Sequence, residues 1–119
     1  MNGTDKKPKT GYPELITNLP EAQITFKGAR AWILQSDTRQ LVFFEFEADM
    51  NLPDHNHTYP QWGMVLEGEM VLRIDGKPRV CRGGDEYLIP ASAMHGAKFN
   101  QKTRVMDFFS EKNRYLPKQ

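Results

Sequence analysis

The sequence predicts an all-β fold, a closed sandwich or barrel for which a jelly roll of about eight strands is one standard solution. From Leu15 onward, apolar residues come in short runs separated by turn formers at even spacing. No helical periodicity is sustained over ten or more residues. Asp75-Gly76, between two such runs, is a strong hairpin signal because both residues tolerate positive φ.

At 119 residues the chain is most simply one domain with a single core. Residues Met1 to Pro13 are polar, carry Lys6, Lys7 and Lys9, and include Gly3, Pro8, Gly11 and Pro13. They offer almost nothing to bury and are expected as a flexible N-terminal tail, with residues 14–119 forming the domain. The expected strands are Ile24–Phe26, Ala31–Gln35, Gln40–Phe46, Gln61–Glu67, Glu69–Ile74, Arg79–Cys81, Glu86–Ile89, His95–Phe99 and Thr103–Phe109. Gly68, Gly83-Gly84 and Asn100-Gln101 mark the other reversals.

Lys and Arg total 16 against 15 for Asp and Glu, so no field argues for nucleic acid or an anionic membrane, and small molecules are the expected partners. The single cysteine, Cys81, cannot form an intramolecular disulfide, and is read as a strand residue without chemistry. With no signal-peptide or membrane-spanning pattern, the expected location is the cytoplasm.

The chain has three histidines. Two stand as His55-Asn56-His57, followed by Gln61, and the third is His95. Neutral imidazole is a common ligand for borderline transition metals. On extended backbone an H-x-H pair places both rings on one face, and Gln61 shares their parity. Gly68 follows this group; fifteen residues separate it from Gly84, which is followed after five intervening residues by Pro90, with His95 five positions beyond.

This frame resembles the two-part signature of the cupin superfamily. The resemblance implies a cupin double-stranded β-helix, a jelly-roll barrel, and assigns His55, His57, Gln61 and His95 as ligands of one divalent transition metal: nickel, zinc, manganese or iron. It further implies that the strand opened by His95 runs beside the first motif. The superfamily's third ligand is usually glutamate. Here three imidazoles and an amide would leave the ion's charge uncompensated, favouring an anionic substrate. Asp49 and Ser92 stand where the motifs carry glycine, and Phe99 replaces a terminal asparagine; these are shape positions rather than ligands.

Alternation along Thr103–Phe109 puts Val105, Asp107 and Phe109 on one face and Arg104, Met106 and Phe108 on the other. Asp107 is thus an acid between apolar neighbours. It is either a general base on a metal-bound substrate or the partner of Arg104 or Arg114 at the barrel rim. Small cupins that linearise unsaturated uronates are similar in carrying H-x-H-x-x-x-Q and a late D-x-F strand followed by arginine. That similarity implies Asp107 as the catalytic residue, with Phe109 and Arg114 binding substrate, although the spacing to Arg114 is one residue longer. Arg104 or Arg114 is expected to bind a second anionic group. The expected function is metal-assisted proton transfer on a small keto/enol or sugar-like acid, an isomerisation or ketonisation. A non-haem dioxygenase and a non-catalytic sensor are the alternatives.

Trp62, Tyr59, Tyr87 and Phe43-Phe44 are expected as core or dimer interface, and Met64, Met70, Met94 and Met106 as core filling. The run Leu41–Phe46 reads as a strand buried on both faces, which the cupin resemblance implies packs against a second subunit, so a homodimer is expected.

Overall fold

A computed structural model describes residues 11–119. After one helical turn, α1 (Glu14–Thr17), come nine strands: β1 (Ala29–Gln35), β2 (Gln40–Phe46), β3 (Asn51–His55), β4 (Gln61–Glu67), β5 (Glu69–Ile74), β6 (Lys77–Arg82), β7 (Glu86–Ile89), β8 (His95–Phe99) and β9 (Thr103–Phe109). They form two antiparallel sheets, β1-β2-β9-β4-β7 and β3-β8-β5-β6. The fold is a jelly roll, one of the closed architectures the turn spacing allows and the one the motif resemblance implies.

Period-2 alternation builds the core. In β9, Thr103, Val105, Asp107 and Phe109 are buried, while Phe108 between them is exposed. Val42, Phe44 and Phe46 of β2 point the same way, and meet Met70 and Leu72 of β5 and Phe99 of β8 from the facing sheet. Phe46 stacks on Phe44 and Phe99 at 5.1 and 4.1 Å between ring centroids. Asp75 and Gly76 take φ of 49° and 80°, the mirror-image turn that the right-handed twist of a hairpin requires.

Two strand expectations change. Ile24–Phe26 is not a strand: Ile24 and Phe26 pack against the core without a ladder partner. Asn51–His55, absent from the expected strands, is one at the sheet edge, where Pro53, which cannot donate to a ladder, is tolerated. It pairs only with β8, and a bulge between Leu52 and His55 accommodates the proline.

Met1 to Thr10 of the expected tail lie outside the described residues. Its last residues are not tail-like. Tyr12 is buried, its hydroxyl lying 2.8 and 3.0 Å from the carbonyls of Phe44 and Val105. The Gly11 amide donates to the buried Glu45 carboxylate at 3.0 Å. Tyr12 also packs edge-on against Phe43 and Trp32. Part of the burial on the outer side of β2, from which the homodimer was expected, therefore comes from the chain itself.

Candidate metal centre and cavity

His55 ends β3, His95 opens β8, and the two pair directly across the ladder. His57 follows β3 on the connection to β4, and Gln61 opens β4 in the other sheet. The residues therefore converge from three segments and both sheets. The approach of the loops is set by short contacts: the Ser92 amide donates to the His57 carbonyl at 2.7 Å. Asp75 brackets Met94: its carboxylate accepts from the Met94 amide at 3.0 Å, and its own backbone amide donates to the Met94 carbonyl at 2.7 Å. Asp49 and Ser92, which replace the motif glycines, adopt φ of 68° and 67°. The left-handed turns are thus kept without glycine, at a steric cost that short polar side chains bear better than branched ones.

One potential ligand atom from each of His55, His57 and His95 lies within 4.8 Å of the others. Each ring has Nδ1 against a backbone carbonyl: His55 on Pro53 at 3.1 Å, His57 on Tyr59 at 2.7 Å and His95 on Ala93 at 2.9 Å. Those carbonyls can only accept, so each Nδ1 carries the proton and each Nε2 keeps its lone pair, the arrangement a metal-binding histidine needs. Tyr59 also stacks on the His57 ring at 4.4 Å. His95 Nε2 is buried with no hydrogen-bond partner. Gln61 Oε1 lies 3.1 Å from His57 Nε2, so that two lone pairs face each other once Nδ1 holds the proton. Protonating His57 would relieve this, but burial first, and the Arg114 cation among lesser causes, hold that ring below its usual pKa. His95 is lowered to about 4, again chiefly by burial. An orphaned buried nitrogen, three fixed tautomers and a facing amide oxygen fit a cation that accepts lone pairs.

The cluster lies at one side of a cavity of about 280 Å³ between the sheets, whose walls include Phe26, Phe46, Leu72 and Val105. His55, Gln61, His95, Asp107 and Arg114 bring polar groups to it. Asp107 is buried, and desolvation raises its pKa to about 6 against the lowering effect of hydrogen bonds from Tyr87 and Gln61 and of the Arg114 charge. The Tyr87 hydroxyl donates to Asp107 Oδ1 at 2.6 Å. Gly63 of β4 stands in register with both Tyr87 and Asp107, and a side chain there would overlap the two groups.

Phe109 lines the cavity, with its ring edge-on to His57 at 6.1 Å. Arg114 reaches it from the segment after β9, its guanidinium over Phe109 and Tyr115 at 5.7 and 5.2 Å, and its Nε is buried with no hydrogen bond. Gln40 fixes that segment. Its fully buried amide donates to the Tyr115 carbonyl at 2.8 Å and accepts from the Tyr115 amide at 3.0 Å. Arg104 is not a cavity residue. It lies on the opposite face of β9, paired with Glu67 at 3.0 Å and stacked over Tyr12 at 5.1 Å. Strand parity forces this, since Arg104 and Asp107 differ by an odd number of residues.

Sequence reasoning assigned Tyr87 to core or interface and gave Gln40 no role. Gly63 was the available signal for Tyr87, because a glycine inside a strand marks close approach of neighbouring groups. Nothing in the sequence places Gln40 beside Tyr115.

The cupin-domain profile matches residues 42–110. The chain belongs to the cupin family. It is similar to the dimethylsulfoniopropionate lyase DddW of Ruegeria pomeroyi, with 40% identity over 52 residues. That match covers 44% of this chain but only 34% of the lyase. An RmlC-like cupin from Shewanella frigidimarina superposes with a TM-score of 0.74 at 24% identity, over 82% of this chain and 88% of that one. KdgF from Halomonas sp. gives a TM-score of 0.71 at 25% identity, over 77% and 88%. The salicylate 1,2-dioxygenase of Pseudoaminobacter salicylatoxidans gives 0.69 at 16% identity, over 75% of this chain and 28% of that one, a likeness of fold alone. Among the described residues no helix is long and apolar enough to cross a membrane.

Proposed function

We propose that the protein is a metal-dependent enzyme that moves a proton on a small anionic keto/enol or sugar-like acid. The observation that carries this reading is the placing of the histidine cluster, the Asp107 carboxylate and the Arg114 cation around one largely apolar cavity. A divalent transition metal held by His55, His57, His95 and Gln61 would supply Lewis acidity to a substrate oxygen.

In this reading Arg114, with an unused donor, binds a substrate carboxylate or a second anionic group. Phe109 supplies an apolar face beside it. Asp107 takes a proton from carbon or returns one, with Tyr87 holding its carboxylate in place. The largely apolar walls around them lower the local dielectric, which strengthens each of these interactions. The motif resemblance to the uronate-linearising cupins, His55-x-His57 with Gln61 and the late Asp107-x-Phe109, supports an unsaturated uronate as the substrate class.

The test is loss of enol absorbance when zinc-, nickel- or manganese-loaded protein meets an unsaturated uronate monosaccharide, with Asp107→Asn as control. Turnover that depends on metal and on Asp107 is expected. Oxygen consumption with iron-loaded protein in its place selects the dioxygenase alternative. Saturable uronate binding without any turnover selects the sensor. A second enzymatic reading rests on the 40% identity to the lyase: removal of a proton beside a carboxylate followed by loss of a β-substituent. Alkene release from a β-substituted propionate selects it.

We further propose a cytoplasmic homodimer that binds neither nucleic acid nor membrane. A free, buried thiol at Cys81 accords with a reducing compartment. For the dimer, Leu34, Leu41, Phe108, Trp62 and Leu88 lie in register across all five strands of one sheet, an apolar row on its outer face. Its continuity from edge to edge of the sheet suits a second copy of the same row. Light scattering giving one subunit mass overturns this.

A further inference from the structure

Two residues of β3, Pro53 and Asp54, stand opposite the single Gly96 of β8, because the ladder pairs Leu52 with Ala97 and then His55 with His95. At such a bulge the ladder is locally disrupted, and Pro53 has no amide to donate. The stretch nonetheless serves a ligand: the Pro53 carbonyl lies 3.1 Å from His55 Nδ1 and sets that ring's tautomer. What holds it comes from the other side of β8. Arg73 of β5 pairs with Gly96 in the ladder, and its guanidinium reaches across the strand to β3. Nε donates to Asp54 Oδ1 at 3.1 Å and Nη2 to the Leu52 carbonyl at 2.9 Å, so the two contacts bracket Pro53. A side chain at Gly96 would overlap the guanidinium, the Asp54 carboxylate and the Leu52 carbonyl at once, so the glycine is what lets the arginine cross.

We propose that Arg73 is a positioning residue for the metal centre: it holds the bulged end of β3 against β8 and so fixes the Pro53 carbonyl and the His55 ring that depends on it. This rests on the metal reading above and adds to it a residue that is not among those lining the cavity. A guanidinium suits the task, since its planar fork presents donors at a fixed separation to two acceptors on one chain segment. As a stabiliser the ion pair counts for little, because the Arg73 and Asp54 side chains are 27% and 43% exposed. Its effect falls on geometry instead. His57 and His95 rest on the carbonyls of Tyr59 and Ala93, which belong to other segments, so one ligand of the set depends on the clamp and the others do not.

The experiment is zinc affinity of the full-length metal-free protein, by competition with a chromogenic chelator, for wild type, Arg73→Ala, Asp54→Ala, Asp54→Asn and Arg82→Ala. Arg82 pairs with Glu69 at 3.1 Å on β5 and β6 of the same sheet, and reports what loss of a surface pair does by itself. Groups that orient metal ligands typically contribute about 10–100-fold to affinity. Arg73→Ala is therefore expected to weaken zinc binding roughly tenfold or more. Asp54→Ala, which leaves the Leu52 contact, is expected to lose about threefold or more, and Asp54→Asn, which restores an acceptor oxygen, to stay within about twofold of wild type. Arg82→Ala should bind like wild type. Arg73→Ala with wild-type affinity, Arg82→Ala weakened as much as Arg73→Ala, or Asp54→Asn as weak as Asp54→Ala overturns the proposal while leaving the metal reading intact. Wild type that takes up no zinc, nickel or manganese overturns both. Should Arg73→Ala fail to fold, the two Asp54 variants decide: equal affinities for the alanine and asparagine changes sink the proposal.

Discussion

The two faces of β9 share one backbone ladder and carry opposite chemistries. Inward, Asp107 is buried, accepts a hydrogen bond from Tyr87, and lines a largely apolar cavity. Outward, one residue away in either direction, Met106 and Phe108 lie against neighbours of the same kind, and Arg104, half-buried, meets the exposed Glu67. A carboxylate in the first setting has direction and a shifted pKa; an ion pair in the second has little effect on anything. Residue type alone therefore says less about role than the parity of its position in the strand.

The contrast breaks most sharply at the ligands. His95→Ala should remove the metal altogether, with less than one-tenth of wild-type metal content by mass spectrometry of the purified protein; retention of a full equivalent would mean the metal is held elsewhere. Next in size is Gly63→Ala, which drives a methyl group into Tyr87 and Asp107. Overpacking of this kind costs roughly 1–3 kcal/mol, read as a fall in denaturation midpoint. An unchanged midpoint would show that the two groups can part freely.

A pH experiment sharpens the comparison. In the metal-free protein His95 has a pKa of about 4, so below the ordinary value of 6.5 the unfolded chain takes up a proton that the fold refuses. This contribution destabilises as pH falls from 6.5 towards 4. Asp107 acts in the opposite sense: its pKa is raised from 3.8 to about 6, so the fold holds a proton the unfolded chain lacks, and acidification through the same window stabilises. Asp107→Asn removes only the second contribution. The variant should lose more stability than wild type between pH 6.5 and 4 in denaturant titrations of the apo-protein; parallel curves would mean Asp107 is ordinary. The smallest effect belongs outside. Arg104→Ala removes the pair with the exposed Glu67 and the stacking over Tyr12, costs roughly 1–2 kcal/mol, and should leave zinc affinity untouched.

What the sequence revealed follows the same division. The histidines were legible because a rare residue at fixed spacing needs no knowledge of the third dimension, and the strands with clear alternation, such as Thr103–Phe109, appear with the expected bounds. Asn51–His55 was not legible, since Pro53 is compatible with a strand only at an edge, and edge position is a property of the sheet. Arg104 was offered for the cavity although its own parity spoke against it. Gln40 and Tyr115 are 75 residues apart, and no periodic signal links them. The charge environment of Asp107 was likewise hidden, because it depends on Tyr87 from β7 and Gln61 from β4 meeting one side chain of β9.

The segment after Phe109 is joined to the barrel differently from the ligands. It is fastened by the Gln40 amide, by the bond from the Gln35 amide to the Lys112 carbonyl at 2.8 Å, and by backbone pairing of residues 116 and 118 with Gln23 and Glu21. None of these contacts involves the histidine cluster. The barrel thus behaves as a fixed socket and the segment as an insert bearing its one cavity-facing cation. Changes confined to the insert can alter which charge a ligand must carry, while the chemistry on offer at the histidines stays the same.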